Sequence, residues 1–222
     1  MFKYISDKKL IDSCFEVANK LTKLIQATLA KHLIDTRLHS LAETKEKLAC
    51  EKEGYPFGFD FILELTRPAT ALKGRANNEL KDIIKKDIQE VINQEFANKD
   101  VVIKSTSTGF SIINLFNKNT PETKFFIEFN IYKFDGKNFY VLKKHRTKVN
   151  EVWTKVKNLN EIKHRMSLVE NDPDAWLEFK ERYLFWLGQY LEENKEKPSS
   201  LSCKTQALND AFNKFWQNQL EK

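Results

Sequence analysis

The sequence predicts an α+β fold, in which a mainly antiparallel sheet of about five strands is flanked by an N-terminal helical hairpin and a C-terminal helical subdomain. Segments with the helical spacing of apolar residues lie at both ends of the chain, whereas segments that alternate apolar and polar residues lie in its middle. Several alternating segments follow one another directly, which favours antiparallel pairing. The whole chain, 1–222, is predicted to be one domain.

The N-terminal part, residues 1–55, is predicted to be the helical hairpin. Asp7 is a suitable N-cap for a helix over residues 7–33, where apolar residues recur at steps of three and four. A second helix is predicted over residues 37–52, because leucines recur on one face of it and Gly54 follows its end.

The central part, residues 56–148, is predicted to hold the sheet and one crossover helix. Phenylalanine and leucine occupy alternate positions of its first strand, which places Asp60 and Glu64 together on the other face. The predicted elements are a strand over residues 56–66, a helix over 74–97, and strands over 101–104 and 110–116.

A β-hairpin is predicted to follow, with strands over residues 125–132 and 139–142. Asp135-Gly136 suits the tight turn between them, because such turns need residues that accept a positive φ. A two-residue turn at this point would place Glu128 opposite Lys143, as a cross-strand ion pair.

The C-terminal part, residues 149–222, is predicted to be helical. One or two helices are expected over residues 152–169, an aromatic helix begins at Asp172-Pro173, and a last helix covers residues 202–220. Core packing is the favoured role of the aromatic helix, and a partner-binding face is the alternative. Its aromatic stripe consists of Trp176, Phe179, Tyr183, Trp186 and Tyr190.

Positive charge is concentrated in one segment. Residues 133–165 contain ten basic and three acidic side chains, a net of +7, whereas the whole chain carries +6. Phosphates are bound by several positive groups held together, so this segment predicts a nucleic-acid-binding surface. The simpler interpretation is a solvated edge strand protected by lysines.

The predicted nucleic-acid-binding residues follow the hairpin's second strand. Tyr132, Tyr140 and Trp153 lie near them and offer stacking surfaces for unpaired bases. Because only six of the 37 basic residues are arginine, contacts should be made mainly to phosphates. The predicted set is Lys143, Lys144, His145, Arg146, Lys148, Lys155 and Lys157.

The acidic residues of the sheet offer a second kind of site. Asp60 and Glu64 share one strand face, and Glu128 lies on the corresponding face of another strand, so adjacent strands would bring together carboxylates able to hold Mg²⁺. Two known patterns are missed. A PD-(D/E)xK nuclease needs a lysine where Asn130 stands, and a polymerase-type nucleotidyltransferase needs a Gly-Ser loop and an acid where Ile62 stands. The simpler interpretation is a solvent-facing sheet surface.

The sequence therefore favours a non-catalytic protein that binds nucleic acid or associates with a nucleoprotein complex. Its predicted partner is the phosphate backbone of DNA or RNA, or an acidic protein. The alternatives are a protein-interaction module, acting as inhibitor or adaptor, and a Mg²⁺-dependent nuclease or phosphotransferase. No catalytic residue, metal ligand or cofactor is predicted, because Walker, Rossmann and hydrolase motifs are absent.

A cytoplasmic location is expected. Cys14, Cys50 and Cys203 are odd in number and widely spaced, as in a reduced protein. No secretory signal is visible, and no apolar run approaches the ~20 residues that cross a bilayer, so no membrane partner is predicted.

Overall fold

The computed structural model describes residues 1–32, 34–40, 48–53, 56–66, 77–96, 100–117, 120–144, 151–156, 159–194 and 200–217. The chain divides into two compact units. The sheet unit comprises Ser6–Ala42 and Pro56–Val156, and the helical unit comprises Met1–Ile5, Glu43–Tyr55 and Lys157–Lys222.

The elements follow the α+β pattern expected from the sequence. In chain order they are β1 (Lys3–Tyr4), α1 (Lys8–Lys31), β2 (Thr36–Ser40), β3 (Cys50–Glu51), β4 (Gly58–Leu65), α2 (Asn77–Glu95), β5 (Val102–Ser105), β6 (Gly109–Asn117), β7 (Thr120–Phe134), β8 (Phe139–Lys144), β9 (Glu151–Val156), α3 (Leu159–Asn171), α4 (Pro173–Asn194), α5 (Ser200–Phe212) and a π-helical turn (Asn213–Gln217).

The described residues of the sheet unit form a mixed sheet of seven strands. Its main order is β2-β4-β7-β6-β5, and β8 joins the end of β7 and pairs in turn with β9. β4 and β7 are parallel, and the other pairs are antiparallel. The parallel pair arises because α2, β5 and β6 lie between the two strands in sequence and carry the chain back to the same end. The predicted α+β fold with a mainly antiparallel sheet is confirmed, although one strand pair, β4 with β7, is parallel and makes the sheet mixed.

Helix α1 begins where the sequence predicts. The Asp7 carboxylate accepts a hydrogen bond from the Leu10 amide at 3.0 Å, which caps the helix. The buried stripe of α1 packs on the phenylalanine face of the sheet, where the Phe15 ring lies 5.2 Å from that of Phe59 and 6.3 Å from that of Phe61. The phenylalanine face consists of Phe59, Phe61, Phe110, Phe125 and Phe129.

The predicted helix over residues 37–52 is wrong. Its first part is β2, in which Leu38 pairs with Leu63 of β4, and its last part contains β3. Residues 41–47 lie outside the described part of the chain. The leucine spacing suits a helix locally, but the edge of β4 offers backbone hydrogen bonds to β2 from Phe61 to Leu65, and this pairing outweighs local preference. The predicted helical hairpin is thus α1 followed by strands.

The start of the predicted helix over residues 152–169 is also wrong. Glu151–Val156 forms β9, paired antiparallel with β8, and α3 begins only at Leu159. Val152, Trp153 and Thr154 are good strand formers, so the local preference agrees with the observed pairing.

The hairpin between β7 and β8 has a longer turn than predicted. Phe134 pairs with Phe139, so Asp135–Asn138 forms a four-residue loop. The Asp135 carboxylate accepts hydrogen bonds from the amides of Lys137 (2.9 Å) and Asn138 (2.7 Å). The longer loop shifts the register, and the predicted pair between Glu128 and Lys143 does not form, because Glu128 pairs with strands β4 and β6 instead.

The helical unit has its own apolar core. The Asp172 carboxylate caps α4 by accepting a hydrogen bond from the Ala175 amide at 2.9 Å, as predicted. Phe179 is fully buried and Tyr183 nearly so, which confirms core packing for the aromatic helix. The predicted last helix is α5 with the π-helical turn. No helix in the described ranges is long and apolar enough to cross a membrane.

Candidate functional site

The two faces of the sheet differ in chemistry. Successive side chains of a strand point to opposite faces, so the phenylalanine face of β4 and β7 implies a second face made of the alternate residues. On β4 that second face carries Asp60, Ile62 and Glu64, and on β7 it carries Glu128 and Asn130. We call it the acidic face.

Two carboxylates stand side by side on the acidic face. Asp60 of β4 is the direct neighbour of Glu128 of β7, and Glu128 is the direct neighbour of Ser111 of β6. We call these three residues the carboxylate row. Their exposed fractions are 0%, 6% and 7%, so all three are buried. Lys104 of β5 pairs with Ser111 and ends the row with an exposed cation.

A second row of polar groups lies beside the first. The Thr108 hydroxyl donates a hydrogen bond to Oδ1 of Asn130, which is 1% exposed. Nδ2 of Asn130 and the hydroxyl of Ser111 are buried and find no hydrogen-bond partner within the described ranges. Buried polar groups of this kind in a native protein call for a ligand, a water or an ion.

Glu64 is separate from the carboxylate row. Nε2 of His39, on β2, lies 2.5 Å from Oε2 of Glu64. Asp60 and Glu64 are four residues apart on one strand, so the two carboxylates are separated by about 13 Å of strand. Of the three acids considered from the sequence, Asp60 and Glu128 are brought together and Glu64 is not.

Strand β4 supplies a single carboxylate at this end of the sheet. Position 58, two residues before Asp60 on the same face, is glycine, and the Phe126 ring covers it. A Cβ atom at position 58 would lie 2.4 Å from carbons of that ring, so no side chain fits there without moving Phe126.

Tyr132 also lies on the acidic face, next to Glu64 in the register. It is 7% exposed, and burial raises the pKa of its hydroxyl to about 12. A phenol so placed stays protonated under ordinary conditions. It offers no free surface for stacking a base, unlike Tyr140 and Trp153, which are partly exposed.

The carboxylate row has the composition of a Mg²⁺ site completed by a ligand. Magnesium in phosphate-binding sites is held by one or two protein carboxylates, with phosphate oxygens and water filling the remaining positions. Asp60 and Glu128 supply such a pair, and the unsatisfied Ser111 hydroxyl is a further oxygen beside them. Among the described residues no group of three or more potential metal-ligating side chains occurs. A Mg²⁺ ion held by Asp60 and Glu128 would therefore take its remaining ligands from outside this group, from a phosphate or from water.

The predicted basic residues are divided between the two faces. On the β8–β9 pair, Lys143 lies opposite Val152, Lys144 opposite Glu151, and Tyr140 opposite Lys155. Lys144 and Lys155 therefore lie on the same side of the sheet as the phenylalanine face, whereas Lys143 lies on the side of the acidic face. All three lysines are exposed. The other predicted residues, His145, Arg146, Lys148 and Lys157, lie outside the described part of the chain.

Sequence reasoning missed Ser111 of the carboxylate row and its neighbour Lys104. Ser111 and Lys104 belong to strands whose alignment with β7 depends on a bulge in β6, after Ile112. No short motif marks either residue. Their place becomes evident only from the register of three strands, which the sequence does not specify by itself.

The chain resembles a known structure in fold. Neither a protein-family model nor a curated protein matches the sequence. Among solved structures, it is similar to CdnC of E. coli MS115-1, determined with ATP. The two chains are 12% identical with a TM-score of 0.52, and the match covers 94% of this chain and 62% of CdnC. At this identity the likeness establishes a shared fold, and this chain spans less than two thirds of the length of CdnC.

Proposed function

We propose that this protein binds a nucleoside triphosphate together with Mg²⁺ at the carboxylate row and belongs to the phosphotransferase class. The observation that carries the proposal is the buried, side-by-side pair of Asp60 and Glu128 on parallel strands. The fold shared with CdnC, whose structure was determined with ATP, supports the same function. Of the three functions considered from the sequence, it favours the phosphotransferase over the non-catalytic protein.

Each residue of the row has a distinct part in this proposal. Asp60 and Glu128 would hold the magnesium ion, which when bound neutralises phosphate charge. A divalent cation beside two adjacent carboxylates would stabilise their negative charges. The Ser111 hydroxyl would gain the hydrogen-bond partner that it lacks in the described structure.

Lys104 extends the row towards the phosphates. Two strand spacings separate its Cα atom from that of Glu128, about 10 Å, and its side chain lies on the same face as Ser111 and Glu128. No described acid forms an ion pair with Lys104. An ammonium group here would contact a phosphate that extends from a metal held by Asp60 and Glu128.

The site differs from the polymerase-type pattern in where its acids come from. In that pattern one strand supplies a pair of acids, whereas here Asp60 is followed by Phe61 and Ile62 and the second acid comes from β7. The pair is thus assembled across strands. Asp60 and Glu128 would together hold one magnesium ion, which would supply positive charge for a phosphate group.

Isothermal titration calorimetry with ATP tests the proposal. The wild-type protein should bind ATP in the presence of MgCl₂ and bind it far more weakly in the presence of EDTA. Asp60→Asn and Glu128→Gln should each weaken binding about tenfold or more, because each removes a magnesium ligand. Glu64→Gln is the matched control, since it removes an acid from the same face outside the row, and it should leave affinity within about twofold.

Binding that is equally tight in EDTA, or unchanged in the Asp60→Asn/Glu128→Gln double variant, would refute the site. The transfer function has a separate test. Incubation with Mg²⁺ and ATP, followed by ³¹P NMR, should show new phosphorus signals that Asp60→Asn eliminates. Tight magnesium-dependent binding without any new signal would restrict the function to nucleotide binding.

A further inference from the structure

The face of the β8–β9 ribbon that is turned away from the acidic face combines lysines with aromatic rings. Lys133 of β7 pairs with Tyr140, and Tyr140 pairs with Lys155. Trp153 lies two residues along β9 from Lys155, and Lys144 lies further along β8. These five residues, Lys133, Tyr140, Lys144, Trp153 and Lys155, are called the ribbon face.

The aromatic rings of the ribbon face are held in place. The Lys133 ammonium lies 4.5 Å from the centroid of the Trp153 ring and 5.5 Å from that of Tyr140, so one cation contacts both rings. The indole N–H of Trp153 donates a hydrogen bond to Oδ1 of Asn77, on α2, at 3.0 Å. Burial lowers the pKa of Lys133, against the opposing effect of Asp135.

The acids near the ribbon face are already engaged. Glu151, the cross-strand neighbour of Lys144, accepts a hydrogen bond from Lys81 at 2.9 Å. Asp135 accepts two backbone hydrogen bonds, which with its other contacts lower its pKa to about 2. No described acid forms an ion pair with Lys144 or Lys155, and both lysines are exposed.

We propose that the ribbon face binds single-stranded nucleic acid, with Lys133, Lys144 and Lys155 contacting phosphates and with bases stacking on Tyr140 and Trp153. Positive groups that follow a backbone, interleaved with aromatic rings, are the common design of single-strand binding surfaces. Lys133 and Lys155 are two strand spacings apart, about 10 Å, and Lys144 lies about 13 Å along the strand from the Tyr140–Lys155 row. The spread is that of several nucleotides rather than of one phosphate.

An acidic peptide is the competing partner, because it too would be attracted by the lysines. An acidic peptide gains little from flat aromatic rings fixed between the lysines, whereas nucleic-acid bases of any sequence stack on such rings. The held position of Trp153 therefore favours nucleic acid. This proposal is independent of the proposed nucleotide site, since the ribbon face and the carboxylate row lie on opposite faces of the sheet.

Two adjacent lysines make a matched pair for the test. Lys143 and Lys144 are both exposed and follow each other on β8, but only Lys144 lies on the ribbon face. Fluorescence anisotropy with a labelled oligothymidine of about 16 nucleotides measures binding to the full chain. Lys144→Glu and Lys155→Glu should each weaken binding about tenfold and reduce the slope of affinity against salt by about one. Lys143→Glu should change affinity less than about threefold and leave the slope unchanged.

A second pair of variants tests the stacking. Tyr140→Ala should weaken binding severalfold, whereas Tyr140→Phe, which keeps the ring, should not. The proposal is overturned if the wild-type protein does not bind the oligonucleotide, or if Lys143→Glu and Lys144→Glu weaken binding equally. It is also overturned if polyglutamate displaces the oligonucleotide at equal charge concentration, because the ribbon face would then recognise charge alone. The affinity for magnesium–ATP should be unchanged in Lys144→Glu. An absence of oligonucleotide binding can therefore be distinguished from an absence of nucleotide binding at the carboxylate row.

Discussion

Lys81 and Glu151 form a buried ion pair that joins α2 to β9, with Nζ 2.9 Å from Oε1. The Lys81 ammonium also donates a hydrogen bond to the Thr106 carbonyl at 2.9 Å. The backbone of Glu151 is bound on both sides, by Asn77 at its carbonyl and by Asn78 at its amide. Lys81 thereby connects α2 both to the start of β9 and to the turn at Thr106.

Removing this cation should destabilise the sheet unit strongly. The side chains of Lys81 and Glu151 are only 9% and 12% exposed, so Lys81→Met would leave a buried carboxylate without its partner. Breaking a buried pair in this way costs about 3–5 kcal/mol. Urea denaturation should show that decrease in the free energy of unfolding.

The double variant Lys81→Met/Glu151→Leu is the control. Replacing both members of a buried pair with apolar residues of similar size removes the uncompensated charge, so the double variant should recover most of the lost stability. A single variant as stable as the wild type would show that Glu151 finds another partner or that the pair contributes nothing.

The same contacts show why part of the fold could not be predicted from sequence. Asp7 and Asp172 cap helices through neighbours three residues away, and both caps are predicted correctly. Glu151 lies just before a predicted helix, but its environment is set by residues of α2 that are 70 or more positions earlier in the chain. Local preference says little about such a contact.

The candidate site has the same division between local and long-range information. The alternation of apolar and polar residues along β4 and β7 predicts that Asp60 and Glu128 lie on the polar faces of these strands, and this prediction is confirmed. Their adjacency depends on β4 and β7 pairing in parallel, which follows from the crossover through α2, β5 and β6. The predicted pairing of Lys143 with Glu128 is wrong because the loop Asp135–Asn138 has four residues rather than two, which changes the register of β8 against β7.

Asp87 should make stability fall as the solution becomes less acidic. Its side chain is 2% exposed, and burial raises its pKa above the ordinary value, with Glu90 acting in the same direction and with His32 and Lys86 opposing. A carboxyl group whose pKa is higher in the folded state stabilises the fold while protonated. That contribution is lost as pH rises from the ordinary carboxyl range through the raised value.

Chemical denaturation across that pH range tests the sign. Asp87→Asn should remove the decrease in the free energy of unfolding with rising pH, because an amide does not ionise. Nε2 of His32 lies 3.2 Å from Oδ1 of Asp87, and its charge lowers the carboxyl pKa. His32→Gln should therefore move the decrease to higher pH. A decrease at the same pH in all three proteins would mean that another group is responsible.

Glu178 should have the opposite pH dependence in the helical unit. Its carboxylate accepts hydrogen bonds from Lys214 at 2.5 Å and from Arg182 at 2.7 Å, and these lower its pKa. The stabilisation is present above the ordinary carboxyl range and is lost as pH falls through the lowered value. Glu178→Gln should reduce the free energy of unfolding at neutral pH by about 1 kcal/mol, as measured by urea denaturation, because both cations are partly exposed. Glu181→Gln, an exposed neighbour, should change it less; equal effects would contradict the assignment.

Ser111→Ala should affect stability and ligand binding in opposite directions. The Ser111 hydroxyl is buried without a hydrogen-bond partner in the described structure, so removing it eliminates a desolvation penalty of about 1 kcal/mol. Without ligand, the variant should unfold at the same temperature as the wild type or a higher one. If the hydroxyl contacts magnesium or a phosphate, the same variant should bind magnesium–ATP severalfold more weakly.

Thermal unfolding with and without magnesium–ATP measures both effects in one experiment. A ligand that binds only the folded protein raises the unfolding temperature by an amount that depends on its affinity, so the ligand-induced increase should be smaller in Ser111→Ala. Ser105→Ala, at an exposed position on β5, is the control and should match the wild type in both conditions. A variant that is less stable without ligand and unchanged in its response to ligand would show that Ser111 is a structural residue. If the Ser111 hydroxyl contacts the ligand, Ser111→Ala should show a smaller ligand-induced increase in unfolding temperature with no loss of stability without ligand. A hydroxyl that only stabilised the fold would instead lower the unfolding temperature when removed.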